Sequence, residues 1–288
     1  MKNVFLWALL ALAAQAWAAP QAVVDAVQAP AWRDRGGRAE PLAPGMELQS
    51  RDRIRTGEGS RVHLRLADGS TVKLGENGEL LAERLGPGEK QFFSAALDVA
   101  RGAFRFTTDK LRKLSRRDVT IRVATVTAGI RGTDIWGKTE PERDFVCLLE
   151  GRITVSHKDG DSREMSEPLT FYVAPRTQPP RGIEAADPET VKKWAAETEI
   201  QTGAGVLRRG GKWKLVLAST DSQQAALEVY DRVAGAGYAA SIRPRIEGEA
   251  VRYEILLRNL AGKAEAAALA SKLKARLGLE ARPTLQGL

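Results

Sequence analysis

The sequence has 288 residues, 43% of them hydrophobic and 28% charged, with one cysteine, two histidines and a formal charge of +8. That length suggests about two domains, and the apolar share is enough for packed cores, so wholesale disorder is excluded. A lone cysteine excludes an internal disulfide, two histidines leave little for a His-rich metal site, and the positive charge raises nucleic acid as a partner.

The first residues turn away from that partner. Met1-Lys2-Asn3 is a short positive start to an apolar run from Val4 to Ala14, and Ala16-Trp17-Ala18 places small residues where a signal peptidase reads. Residues 1–18 therefore read as a secretory signal cleaved before Ala19, the alternative being an uncleaved anchor. The expectation is a periplasmic chain with no stable membrane span after cleavage and no nucleic-acid partner. Residues 201–288 hold 14 basic against 8 acidic side chains, a net of +6, which points the last third either toward envelope polymers or anionic lipids or to solubility alone.

Residues 28–180 read as all-β. Val62, Leu64 and Leu66 alternate with His63, Arg65 and Ala67, then Asp68-Gly69 breaks the run before Thr71-Val72-Lys73-Leu74, a hairpin pattern. Further short strands are expected around Leu48, Ile54, Val99, Phe104 and Ile121. Phe145-Val146-Cys147-Leu148-Leu149 is apolar on both faces, so its strand should lie between layers, with Cys147 as a small core residue. Strands at this spacing, with no long amphipathic helix, predict a sandwich, barrel or short β-solenoid.

The blocks Leu48-Gln-Ser-Arg-Asp-Arg-Ile-Arg-Thr-Gly57, Ser60-Arg-Val-His-Leu-Arg-Leu-Ala-Asp-Gly69, Val72-Lys-Leu-Gly75, Thr125-Val-Thr-Ala-Gly-Ile-Arg-Gly-Thr133 and Val146-Cys-Leu-Leu-Glu-Gly-Arg-Ile-Thr-Val155 resemble FecR-type domains in order and spacing. The resemblance implies a periplasmic β-rich module, best known from regulators that relay iron–siderophore signals to a sigma factor. Their cytoplasmic segment and internal membrane helix have no counterpart in this sequence, so the module carries over and the sigma-factor role does not. In the motif block Ile130-Arg131-Gly132-Thr133, Gly132 permits a close backbone approach or a bulge. Arg131 is either a structural ion pair or backbone clamp, or a contact for a partner. The basic run Lys110, Arg112, Lys113, Arg116 and Arg117 is either a solvated loop or a contact for an anionic polymer.

Residues 187–211 read as a short helix capped by Asp187-Pro188-Glu189, with Val191 and Trp194 on one side, followed by a linker. Residues 212–285 read as an α+β, ferredoxin-like βαββαβ unit. Asp221 with Gln224 starts one helix, whose inner face is Ala226, Val229, Tyr230 and Val233. A second helix turns Ala266, Leu269, Ala270 and Leu273 inward.

The halves Trp213-Lys-Leu-Val-Leu-Ala-Ser219 with Ala226, Val229, Val233 and Gly237, and Tyr253-Glu-Ile-Leu-Leu257 with Ala266, Leu269 and Leu273, resemble a SPOR domain. The resemblance implies binding to peptidoglycan glycan strands stripped of stem peptides, which accumulate at division septa, on the sheet face opposite the helices. If Leu215, Leu217, Ile255 and Leu257 face the helices, alternation puts Lys214, Val216, Arg243, Arg245, Glu254, Leu256 and Arg258 on that face. Ser219 joins them as a glycan-binding candidate. Arginine forks there suit lactyl carboxylates and hydroxyls. Val216 stands where SPOR sequences usually carry glutamine, and Arg258-Asn259-Leu260 replaces a usual Gly-Pro-Phe.

His63 and His157 come with no evident nucleophile or metal partner, and G-x-S-x-G, H-E-x-x-H and C-x-x-C are absent. The sequence therefore predicts a non-enzymatic periplasmic protein without cofactor or metal. Its C-terminal sheet would dock on peptidoglycan near division or remodelling sites, while the β domain meets an envelope protein. The alternative is an envelope sensor in which the SPOR-like part is a spacer or protein contact.

Overall fold

Period-two runs become strands almost throughout. The computed structural model describes residues 20–87, 93–109, 117–130 and 132–285, mostly strand with three helices. The signal segment 1–18, Arg131, and Lys110, Arg112, Lys113 and Arg116 of the basic run lie outside the described residues.

In chain order the strands begin with β1 (Ala22–Gln28), β2 (Ala31–Arg35), β3 (Arg38–Pro41), β4 (Glu47–Leu48), β5 (Asp52–Thr56), β6 (Arg61–Leu66), β7 (Thr71–Leu74) and β8 (Glu79–Pro87). There follow β9 (Phe93–Thr107), β10 (Arg117–Val123), β11 (Val126–Ile130), β12 (Asp134–Thr139), β13 (Arg143–Glu150), β14 (Ile153–His157), β15 (Ser162–Met165), β16 (Thr170–Pro175) and β17 (Ile183–Ala185). The first strand starts ahead of the expected boundary at residue 28, because Ala22, Val24 and Ala26 alternate into the core.

Two sheets share β9. One runs β17-β16-β13-β12-β9-β7-β6-β1, with β4 also paired to β1. The other runs β3-β2-β5-β8-β9-β10-β11-β14-β15, parallel only at β9–β10. β9 passes from one sheet to the other at Gly102, where φ is +82° and an added Cβ would stand 2.7 Å from Gly78 Cα. Both conditions require glycine. Val62, Phe104, Phe106 and Val146 of the first sheet meet Ile54, Leu80, Val99 and Val155 of the second in one core. Each such burial stabilises by roughly 1.5–3 kcal/mol.

β13 does lie between layers. Val146 and Leu148 join that core, while Phe145 and Cys147 turn outward into a second cluster with Trp136, Val173 and Val191. The cover is α1 (Pro188–Ala196), which starts where Asp187 accepts the Thr190 N–H at 2.9 Å. The β6–β7 hairpin turns at Asp68-Gly69, with the Asp68 carboxylate accepting the Ser70 N–H at 3.0 Å and hydroxyl at 2.7 Å.

The C-terminal unit consists of β19 (Trp213–Thr220), α2 (Gln223–Gly235), β20 (Ala240–Glu247), β21 (Ala250–Leu260), α3 (Lys263–Leu277) and β22 (Arg282–Leu285). Its strands pair antiparallel in the order β22-β19-β21-β20. Leu215, Leu217, Ile255 and Leu257 are buried in one cluster with Ala226, Val233, Leu269 and Leu273 of the helices. Ser222 rather than Asp221 caps α2: its hydroxyl accepts the Ala225 N–H, while the Asp221 carboxylate stands 3.4 Å from Arg252.

The segment expected as linker is partly a strand. β18 (Val206–Arg208) pairs with β1 on one side and, at Leu207↔Leu260, with β21 on the other. The Ala31 N–H donates to the Gly237 carbonyl at 3.2 Å, and Lys272 Nζ to the Ala29 carbonyl at 2.7 Å. Burial lowers the Lys272 pKa from its ordinary value. The two units are thus joined by backbone pairing.

Candidate functional site

The sheet face away from α2 and α3 is set by register. Residues directly opposite one another share a face. Ser219 and Arg243 stand opposite Glu254, Val216 and Ser241 opposite Leu256, and Arg252 opposite Arg245. On the outer strand, Arg282 stands opposite Val216 and Thr284 opposite Lys214. A bulge between Val216 and Ala218 keeps both Leu215 and Leu217 inward while returning Ser219 to the open face. Alternation beyond Leu256 places Arg258 there too.

The candidate residues differ in exposure. Ser219, Arg243, Arg245 and Arg258 are exposed, and Lys214, Val216 and Glu254 are half-buried. Leu256 is 2% exposed, so it lends no apolar surface to a ligand. It sits on a central strand between Val216 and Ser241, with Glu254 and Arg258 two residues along on the same face. Arg252, Arg282, Ser241 and Thr284 also belong to this face and were not anticipated. Arg252 continues the alternation of Glu254, whereas Arg282 and Thr284 follow only from the β19–β22 register.

Among the described side chains the face therefore carries Lys214, Arg243, Arg245, Arg252, Arg258 and Arg282, with the Glu254 carboxylate accepting from Arg245 Nη1 at 2.9 Å and Asp221 standing 3.4 Å from Arg252. Such a surface can hold an anionic or hydroxyl-rich polymer through forked, charge-assisted hydrogen bonds.

The β domain has a separate concavity of about 300 Å³ on the outer side of its first sheet, lined by Trp136, Phe145, Phe171, Trp194, Arg143 and Arg181 among others. Trp136 and Trp194 stack with centroids 5.2 Å apart and planes 6° apart, and Phe171 meets Trp194 edge-on at 5.9 Å. Arg143 lies over the Phe145 ring at 4.6 Å. Cys147 lies in the cluster beneath, where burial pushes its thiol up to about 12, so it is not a nucleophile at neutral pH.

Gly132, with φ of +73°, and Thr133 serve close packing: a Cβ on Gly151 would stand 2.5 Å from the Gly132 carbonyl oxygen. The Thr133 and Thr108 backbones and the Thr108 hydroxyl are tied together at 2.9 and 3.1 Å. Among the described residues no cluster of three or more His, Cys, Asp or Glu could hold a metal ion, and no helix is long and apolar enough to cross a membrane.

No curated protein matches the chain. Two crystal structures of a candidate anti-sigma factor from Parabacteroides distasonis align at 14% and 15% identity, covering 69% and 82% of this chain and 96% and 98% of theirs, with TM-scores of 0.43 and 0.42. The FecR protein family matches residues 52–156 and the SPOR domain family residues 210–281. The chain carries a FecR domain followed by a SPOR domain.

Proposed function

We propose that this is a non-enzymatic, peptidoglycan-binding protein of the periplasm, acting at division or remodelling sites, with residues 1–18 as its cleaved signal. The ferredoxin-like SPOR unit docks its open sheet face on glycan strands, and the sandwich-like FecR domain is an interaction module for an envelope protein. The observation that carries this is the cationic sheet face with Lys214, Arg243, Arg245, Arg252, Arg258 and Arg282, on the sheet side where SPOR domains take glycan. Lys214, Arg243, Arg245 and Arg258 would meet lactyl carboxylates and hydroxyls, Ser219 would add a hydroxyl, and Val216 an apolar patch.

Co-sedimentation of the full chain with purified sacculi tests it. Treatment of the sacculi with an amidase, which strips stem peptides, should increase the bound fraction. Equal or lower binding after treatment counts against the proposal.

A second role, envelope signalling through the FecR domain, is favoured by the aromatic concavity at Trp136 and Trp194. Arg181 and Glu184 at its rim suit a peptide with an apolar side chain and charged neighbours.

A further inference from the structure

We propose that the glycan site is composite: the FecR side of the molecule closes one end of the SPOR face and supplies a subsite for a further sugar of the same strand. This rests on the peptidoglycan reading above. At Ser241 and the exposed Arg258 the end of the face borders residues of the FecR side. They line a cavity of about 310 Å³ that reaches from this end of the face round to α2, bounded on the SPOR side by Ser241, Arg258 and Tyr230 of α2 and on the other by Glu40, Pro44 and Met46.

The lining has the chemistry of a sugar subsite. Ser241, Tyr230 and the exposed Arg258 bring hydrogen-bonding groups to it, the Ser241 hydroxyl also reaching the Leu256 carbonyl at 3.5 Å, beside the apolar Pro44 and Met46. Sugar rings need that pairing of hydrogen-bonding groups with apolar surface. Glu40 is already held by Arg33, whereas Arg258 has no ion pair among the described residues and is available to a lactyl carboxylate. At about 30 Å³ per water the cavity holds roughly ten waters, space for one substituted hexose ring.

The far wall is preset. β18 pairs with strands of both units, the Ala261 N–H donates to the Val206 carbonyl at 3.0 Å, and Lys272 reaches the Ala29 carbonyl. At Gly237, φ is +83° and an added Cβ would stand 2.5 Å from the Trp32 ring. A strand leaving the face past Arg258 therefore meets a fixed surface, and little ordering entropy is lost on contact. The subsite adds affinity only for ligands long enough to cover the face and continue into the cavity.

The test uses the full chain and amidase-stripped glycan of two lengths, a tetrasaccharide and long strands, with dissociation constants from fluorescence anisotropy. Ala43→Trp fills the cavity from its half-exposed wall. It should weaken long-strand binding about fivefold or more and change tetrasaccharide binding less than about twofold. Tyr230→Ser, on the opposite wall, should act in the same direction and decides the matter if Ala43→Trp melts early. Wild-type binding that neither substitution alters by length overturns the subsite and leaves the glycan face standing. Absence of binding to either length by wild type overturns the glycan reading itself.

Discussion

Arg245 donates to Glu254 at 2.9 Å across the β20–β21 pair, and Arg243 stands directly opposite the same carboxylate. Glu254 thus holds Arg245, while Arg243 projects from the opposite position without an ion pair among the described residues. The Arg245 side chain is 59% exposed, so the pair itself contributes at most about 1 kcal/mol to stability. Arg243→Glu with Arg245→Glu should lower binding to amidase-treated sacculi by about tenfold, as two attractive contacts become repulsive. The melting temperature should move by no more than about 2–4 °C, the shift expected for about 1 kcal/mol. Loss of cooperative melting instead would mean that these arginines do not lie on the open face.

The Trp136–Trp194 stack covers the cluster containing Cys147. Truncating a buried tryptophan costs about 3–5 kcal/mol, and Trp194 is half-buried, so Trp194→Ala should cost about 2–3 kcal/mol. It should also expose the thiol. Native wild type should not react with Ellman's reagent at pH 8 before unfolding, because burial disfavours the thiolate, and the variant should react measurably faster. Equal rates would place Cys147 outside the protection of α1.

What could be read from residues alone was whatever local chemistry determines. Alternation located the β6–β7 hairpin and the two-faced β13, and Asp187-Pro188 marked the start of α1. The helix-facing leucines of the SPOR unit also followed from period two. Features created by long-range pairing were hidden. Val206–Arg208 looks like loop between glycines and becomes a strand only because β1 and β21 offer it edges. Leu256 has the right parity for the open face, yet burial depends on its neighbours in three dimensions. Arg282 needed the β19–β22 register before it could join the site.

His63 lies on β6 with its ring nitrogen 3.1 Å from the Thr198 carbonyl, near Lys73, Glu199 and Arg208. Burial is the largest influence and holds its pKa below the ordinary 6.5, against the raising effect of the Thr198 contact. The unfolded chain therefore takes up the proton first. Stability from neutral His63 is fully present above pH 6.5 and is lost as pH falls through the lower folded value. Between about pH 7.5 and 5.5 the wild-type melting temperature should fall further than that of His63→Gln. Parallel profiles would remove His63 from the acid response.

Glu265 lies in the first turn of α3, where an acidic residue would ordinarily be read as complementing the helix dipole. Its carboxylate instead accepts three backbone N–H groups from the chain leading into β18: Gly203 at 2.6 Å, Gly205 at 2.8 Å and Val206, the first residue of β18, at 2.9 Å. Glu265 is 7% exposed, so its removal leaves buried donors without an acceptor, and each such orphan costs about 1–3 kcal/mol. Glu265→Ala should therefore destabilise by about 3 kcal/mol or more, and Glu265→Gln, which keeps one acceptor, by less. The effect should appear first at the junction, as faster amide exchange at Val206 and Leu207 than in β6 or β13. It should also uncouple the two units, splitting one melting transition into two. A single transition with unchanged exchange at β18 would show that the pairing with β1 and β21 holds the junction without this carboxylate.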